Sequence, residues 1–168
     1  GAVDAGLVPP DALLIQPGTH CKWVEMTSGG IARFTTAMTG ELFAMLSRGS
    51  ILASQLSGPV IPGDAFLAGV DKGLERDVSA ALFGIRAAGL LGTLAPDEAP
   101  SFASGVLIGA EVAARLAEYD YDLVHILADP SLGSLYARAI ERAARKSIVI
   151  DSQASFVSGI VRIESLLP

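Results

Sequence analysis

With 168 residues the chain is long enough to bury one respectable core. Its 12 basic and 18 acidic side chains leave a formal net charge of −6, which works against sequence-independent binding to a polyanion such as DNA. The hydrophobic share of 51% is high for a free-standing domain, yet the longest apolar run, Phe102 to Leu116, carries Glu111 and Arg115 and is interrupted by Gly105 and Gly109. No nucleic acid and no membrane is therefore expected as a partner; part of the apolar surplus reads as an interface, a homo-oligomer being one option. One cysteine, Cys21, excludes an internal disulfide, and the first residues lack a basic-then-apolar leader, so the expected compartment is the cytoplasm.

Taken in chain order, Gly1 to Leu7 resembles the tail of a helix, and with no methionine in front of it the chain reads as a piece of something longer. Ala12 to Gln16 predicts a buried strand and Trp23 to Met26 its hairpin partner. Thr27-Ser28-Gly29-Gly30 predicts a tight turn into a third strand, Ile31 to Ala37. Thr39 reads as the N-cap of a helix over Glu41 to Leu46, with Arg48 near its other end. The periodicity from 47 to 119 is helical, with helices expected at Ile51 to Leu56, Ala65 to Gly73, Asp77 to Gly89 and Ser101 to Ala117. Turn chemistry at Ser57-Gly58-Pro59, Pro62-Gly63 and Ala95-Pro96-Asp97 separates them. A strand over Leu123 to Ala128, a helix from Ser131 to Arg145 capped by Asp129 or Ser131, a strand over Ser147 to Ile150 and a helix from Gln153 to Leu166 complete the chain. The expected order is β-β-β-α over 11–46, a helical insertion over 47–119, and β-α-β-α over 120–168. All three belong to one α/β domain, whose later strands are parallel neighbours.

The richest local chemistry lies in Pro17-Gly18-Thr19-His20-Cys21-Lys22-Trp23, between two strands. Such a turn presents backbone N–H groups to an anion: Gly18 permits close approach, Thr19 offers a hydroxyl and Lys22 a positive charge. Phosphate is the guest that this chemistry suits, although Gly and Thr in a hairpin beside a solvated Lys are also ordinary turn chemistry. His20, His125 and Cys21 are too few for a metal site of usual ligand count, so no metal ligands are expected on this chain. Arg138, Arg142, Arg145 and Lys146 recur at helical spacing and read as a solvated face.

Four words in order, Pro17 to Trp23, Met38-Thr39-Gly40-Glu41-Leu42-Phe43, Leu82 to Gly92 and Ser104 to Glu111, together resemble the 2-dehydro-3-deoxygalactonokinase family. The likeness runs over nearly the whole chain but matches only the C-terminal half or more of that family's length. It implies an α/β fold, one lobe of the actin-like, ribonuclease-H-like kinases, with a five-stranded mixed sheet and a helical insertion. The implied activity is ATP-dependent, with Mg2+, and phosphorylates 2-dehydro-3-deoxy-D-galactonate at its 6-position once an N-terminal lobe is supplied.

By the same resemblance Gly18 and Thr19 would meet the terminal phosphates, with Lys22 or His20 helping to neutralise them. Ser104, Gly105, Ala128 and Asp129 would flank the adenine end. Thr39 and Glu41, at a helix start, and Arg86, whose guanidinium can grip a carboxylate, would face the sugar acid. Plain capping by Thr39 and Glu41, and an ion pair of Arg86 with Asp77 or Glu111, stand beside those readings. Ala128-Asp129-Pro130 departs from the glycine, small residue and proline of the family, and an added carboxylate there could repel a nucleotide. The Asp-Trp-Gly-Thr-Thr word that handles magnesium in the family is absent, so the catalytic residues are expected in the other lobe. The competing expectation is a non-enzymatic module that keeps only sugar-acid or anion affinity.

Overall fold

The computed structural model describes residues 1–167. Along the chain run β1 (Ala12–Gln16), β2 (Cys21–Thr27), β3 (Gly30–Ala37), α1 (Thr39–Gly49), α2 (Asp64–Leu74), α3 (Val78–Leu91), α4 (Ala99–Leu116), β4 (Leu123–Ala128), α5 (Pro130–Arg142), β5 (Lys146–Asp151) and α6 (Ser152–Glu164). The strands form one mixed sheet in the order β3-β2-β1-β4-β5. β1 and β2 pair antiparallel from Ala12↔Met26 to Gln16↔Lys22, β2 and β3 pair antiparallel, and β1–β4 and β4–β5 are parallel. Ser28 and Gly29 both take positive φ, the backbone of a two-residue turn whose twist suits the β2–β3 hairpin.

Alternation along β1 sends Leu13 and Ile15 to one face of the sheet and Ala12 and Leu14 to the other. The first face carries the main core, in which Leu13, Ile15 and Trp23 meet Phe66 and Val70 of α2, Ile108 and Val112 of α4, and Ile140 of α5. The helical block is therefore continuous with the sheet's own core. Its two central helices approach through glycines: a methyl group built on Gly69 would lie 2.1 Å from the Phe102 carbonyl oxygen, and one on Gly109 2.5 Å from that of Val70. On the opposite face, Ala2 and Val8 cover only part of the sheet, and α6 leans on β4 and β5 with Phe156 and Ile160 exposed.

Two local expectations are corrected. Ile51 to Leu56 forms turns and no helix: Ala53 and Gln55 bond back three residues, to Ser50 and Leu52. The stretch is too short before Gly58-Pro59 to sustain a helix, and Leu52 and Leu56 are buried by packing near Ile85 and Ala103. Thr39 is not a cap. Met38 holds that position without a side-chain bond, and the carbonyl of Thr19 accepts from Glu41 N instead, at 3.0 Å. Gly1 to Leu7 closes as a helix end does: Ala5 N donates to the Gly1 carbonyl at 2.8 Å, Leu7 N to that of Ala2 at 3.0 Å, and Gly6, at positive φ, to that of Val3 at 2.9 Å. Of the two caps offered for α5, Asp129 is the one used.

His125, on β4, is buried, with Nδ1 3.4 Å from the Leu13 carbonyl oxygen, and desolvation lowers its pKa. The unfolded chain then binds the proton first, so stability is full above about pH 6.5 and falls as the pH drops through the lowered folded value. Thermal melts between about pH 5 and about pH 7.5 are expected to show this acid slope, and His125→Gln to flatten it.

Candidate functional site at the C-terminal strand edge

Because β2 is antiparallel to both β1 and β3, while β4 and β5 run parallel to β1, the strands β1, β3, β4 and β5 all end on one edge of the sheet. The β1–β2 turn and the N-termini of α1, α5 and α6 share that edge, the position outside the carboxyl ends of strands where open α/β sheets bind ligands.

The turn rests on the start of α1. A methyl group on Gly40 would lie 2.5 Å from the Gly18 carbonyl oxygen and 2.9 Å from Thr19 Cα, so only glycine lets the helix come this close. His20 Nε2 sits 2.7 Å from Glu41 Oε2 across the same junction, and Lys22 Nζ donates to the His20 carbonyl at 3.3 Å. Gly18 itself faces open space, with nothing within 4 Å of where its Cβ would be.

Behind the turn lies a cleft of about 220 Å³. Gly18, Thr39 and Gly40 form one end, and Ser104 and Leu107 of α4 with Leu132 and Tyr136 of α5 form its walls. On the far side of the turn a wider groove of about 820 Å³ runs along α1 past Thr19, His20, Glu41 and Arg48. A further hollow of about 410 Å³ lies among α2, α3 and α4, and it shares no residue with the cleft.

Directly beneath the turn Glu111 is buried, and both its oxygens are bonded: Trp23 Nε1 donates at 2.6 Å and the Tyr136 hydroxyl at 2.9 Å. An unpartnered polar group there would cost ~1–3 kcal/mol, and a carboxylate more. Burial, reinforced by the neighbouring Glu111, pushes both the Cys21 thiol and the Tyr136 hydroxyl far up, so both stay protonated donors.

At the other end of the edge, the Asp129 carboxylate accepts from Ser131 N at 2.9 Å and Leu132 N at 3.1 Å. Asp151 accepts from Gln153 N at 2.8 Å and Ala154 N at 3.0 Å. The first turns of α5 and α6 thus carry built-in carboxylates, whereas α1 has no side-chain cap.

A sequence model described as 2-keto-3-deoxy-galactonokinase matches residues 1–163. The chain belongs to that family. Among curated relatives, the 2-dehydro-3-deoxygalactonokinase of Escherichia coli (strain K12) is 36% identical over 163 residues, 94% of this chain and 55% of the relative. A protein of Rhizobium meliloti (strain 1021) named "Probable 2-dehydro-3-deoxygalactonokinase" is 35% identical over 158 residues, 88% of this chain and 50% of the relative. A crystal structure from Sinorhizobium meliloti, described provisionally as the same kinase, superposes with a TM-score of 0.88 at 32% identity, covering 96% of this chain and 56% of that one. The chain spans about half the length of the galactonokinases it matches.

Of the positions that the galactonokinase likeness singled out in the sequence, Gly18, Thr19, His20, Thr39 and Glu41 converge at the turn and α1, and Ser104 reaches the cleft wall. Lys22 folds its ammonium back onto the turn's own carbonyl. Gly105 does not face the cleft: a methyl group there would lie 2.1 Å from the Phe66 carbonyl oxygen, so the residue serves the α2–α4 crossing. Ala128 and Asp129 line a separate hollow with Asp151, and the Asp129 carboxylate is turned onto α5. Arg86, half-buried on α3, pairs with neither acid offered to it; Asp77 caps α3 on Ala80 N and Glu111 serves Trp23 and Tyr136. The cleft walls Leu132 and Tyr136 were not singled out in the sequence; their i, i+4 spacing on α5 was the available signal. Among the described residues no helix is long and apolar enough to cross a membrane.

Proposed function

We propose that this chain is the nucleotide-binding C-terminal lobe of an ATP-dependent kinase acting on 2-dehydro-3-deoxy-D-galactonate. The remaining half of the family's length supplies the other lobe. The observation that carries this is the seating of the open Gly18–Thr19 turn on the N-terminus of α1, beside an apolar cleft at the C-terminal strand edge. Three antiparallel strands followed by two parallel ones, in the order β3-β2-β1-β4-β5, is the arrangement of one actin-like, ribonuclease-H-like lobe, and it supports the same reading. The division into a turn-bearing 11–46, a helical insertion 47–119 and a closing 120–168 follows from that fold.

The residues present fit a nucleotide. A mostly apolar cleft of about 220 Å³ is smaller than a complete small-molecule site, roughly 300–1,000 Å³, but suits a flat base, with the amides of the turn at its polar end. Ser104 and the walls of α4 and α5 would flank the base, and Gly18 and Thr19 would donate to phosphate oxygens, with Lys22 adding positive charge and His20 a ring nitrogen nearby. Bound ATP would supply the transferable phosphoryl group. Thr39, Glu41 and Arg86 are the groups offered to the sugar acid, Arg86 for its carboxylate. Among the described residues no three acidic, His or Cys side chains gather, so this chain offers Mg2+ no ready-made cage, whereas a cation carried on the phosphates needs only one or two carboxylates. The base that removes the hydroxyl proton belongs to the other lobe. The competing reading as a binding module rests on Asp129 and on the lack of a magnesium aspartate; the Asp129 carboxylate is engaged with α5.

Calorimetry with ADP on this chain is expected to give weak binding, and mixing it with the N-terminal half of the Escherichia coli relative to restore ADP formation with 2-dehydro-3-deoxygalactonate. Absence of heat with ADP would sink the nucleotide role; turnover of an unrelated sugar acid alone would sink the substrate.

A further inference from the structure

We infer that Glu111 is the positioning residue of the phosphate turn, which deepens the proposed function and rests on it for the identity of the ligand. Trp23 lies one residue past Lys22 at the base of the turn, and its indole is tied to Oε1 of Glu111 on α4. Oε2 receives the hydroxyl of Tyr136, which comes from α5 and also lines the cleft. One carboxylate therefore joins the strand that carries the turn to both helices that wall the cleft. The Cys21 thiol lies beside the same carboxylate, a further link at the start of β2.

A buried acid is a poor device for stability alone. Replacing such a group by an apolar side chain of similar volume is often neutral or stabilising, because the cost of desolvating the carboxylate is then no longer incurred. What leucine cannot supply is direction. Two short bonds to one rigid acceptor fix the position of β2 along and across the cleft, and the amides of Gly18 and Thr19 move with β2.

The test uses Glu111→Leu, which fills the space, and Glu111→Gln, whose amide can accept from Trp23 and donate to the Tyr136 oxygen. ADP affinity is expected to fall on the order of tenfold or more in Glu111→Leu and to stay within about threefold of the parent in Glu111→Gln, with both proteins melting cooperatively. Amide exchange over Gly18 to Lys22 is expected to quicken in the leucine variant alone, with β4 and β5 unchanged. Trp23 is the sole tryptophan, so its emission reports this contact directly and is expected to change with Glu111→Leu but not with Glu111→Gln. Unchanged affinity and unchanged exchange in Glu111→Leu would overturn the inference, as would a glutamine variant as impaired as the leucine one. If the parent binds no ADP, the kinase reading fails, and exchange in the turn alone decides the positioning role. If Glu111→Leu does not fold, Trp23→Phe and Tyr136→Phe each remove one bond; parent-like ADP affinity in both would overturn it.

Discussion

Gly40→Ala is expected to abolish measurable ADP binding while leaving the chain folded. The added methyl would meet three backbone atoms, the Gly18 carbonyl oxygen at 2.5 Å, Thr19 Cα at 2.9 Å and the Gly18 carbonyl carbon at 3.1 Å, and none of them can rotate away. The turn is the part free to yield, since Gly18 faces open space, whereas α1 is held by its own ladder. A displacement near 1 Å is enough to cost on the order of a hundredfold in a site built on positioned donors. The fold loses less, ~1–3 kcal/mol, the usual strain of one methyl too many. Calorimetry and a thermal melt on the same sample separate the two effects. Gly18→Ala is the control for stability: with nothing within 4 Å of its Cβ position, it is expected to leave the melt unchanged.

Gly105→Val is expected to prevent folding altogether. α2 and α4 cross through reciprocal backbone contacts. A Cβ on Gly105 would meet the Phe66 carbonyl oxygen at 2.1 Å, and one on Gly73 that of Val106 at 2.3 Å. Parting the helices would pull Phe66 and Val70 from Ile108 and Val112 in the main core, where each large side chain contributes ~1.5–3 kcal/mol. Several such losses exceed much of the ~5–15 kcal/mol that holds a domain together. Far-UV circular dichroism and soluble yield check this. Gly84→Ala on α3, where the new methyl meets nothing within 4 Å, is expected to raise stability by up to ~1 kcal/mol through helix propensity.

The sheet was readable in the sequence because its strands are short runs bounded by turn residues. β1 is apolar from Ala12 to Ile15, the mark of a strand buried on both faces, and the fold sends Leu13 and Ile15 to one and Ala12 and Leu14 to the other. β2 begins at Cys21, two residues before the apolar run suggested, because ladder pairing with β1 carries it to Lys22 and beyond. Ile51 to Leu56 misled because apolar spacing records what is buried and not how the backbone curls; Leu52 and Leu56 satisfy the same core from a string of turns. Gly105 read as space for a ligand, yet a glycine in a helix serves equally for another helix, and the partner, Phe66, is distant in sequence.

The site was half legible for a similar reason. Gly18, Thr19, His20 and Glu41 declared themselves through turn and helix-start chemistry, which is local. Glu111 did not: the sequence offers it only as an ion-pair partner for Arg86, and the donors that hold it inside lie 88 and 25 positions away. The roles of Arg86 and Asp129 depended on which neighbours the fold leaves available, and that is settled by packing alone.

The unequal capping along the ligand edge polarises it. At α5 and α6 the free amides are already occupied by the fixed carboxylates of Asp129 and Asp151, so a polyphosphate tail approaching there meets negative charge on a filled donor set. At α1 no side chain caps the helix: its first-turn acid, Glu41, is turned to His20 at 2.7 Å, and Lys22 lies in the turn beside it. On the proposed nucleotide role, an elongated ligand with one anionic end is thereby given a heading before it makes any contact, tail toward Gly18 and head toward α5.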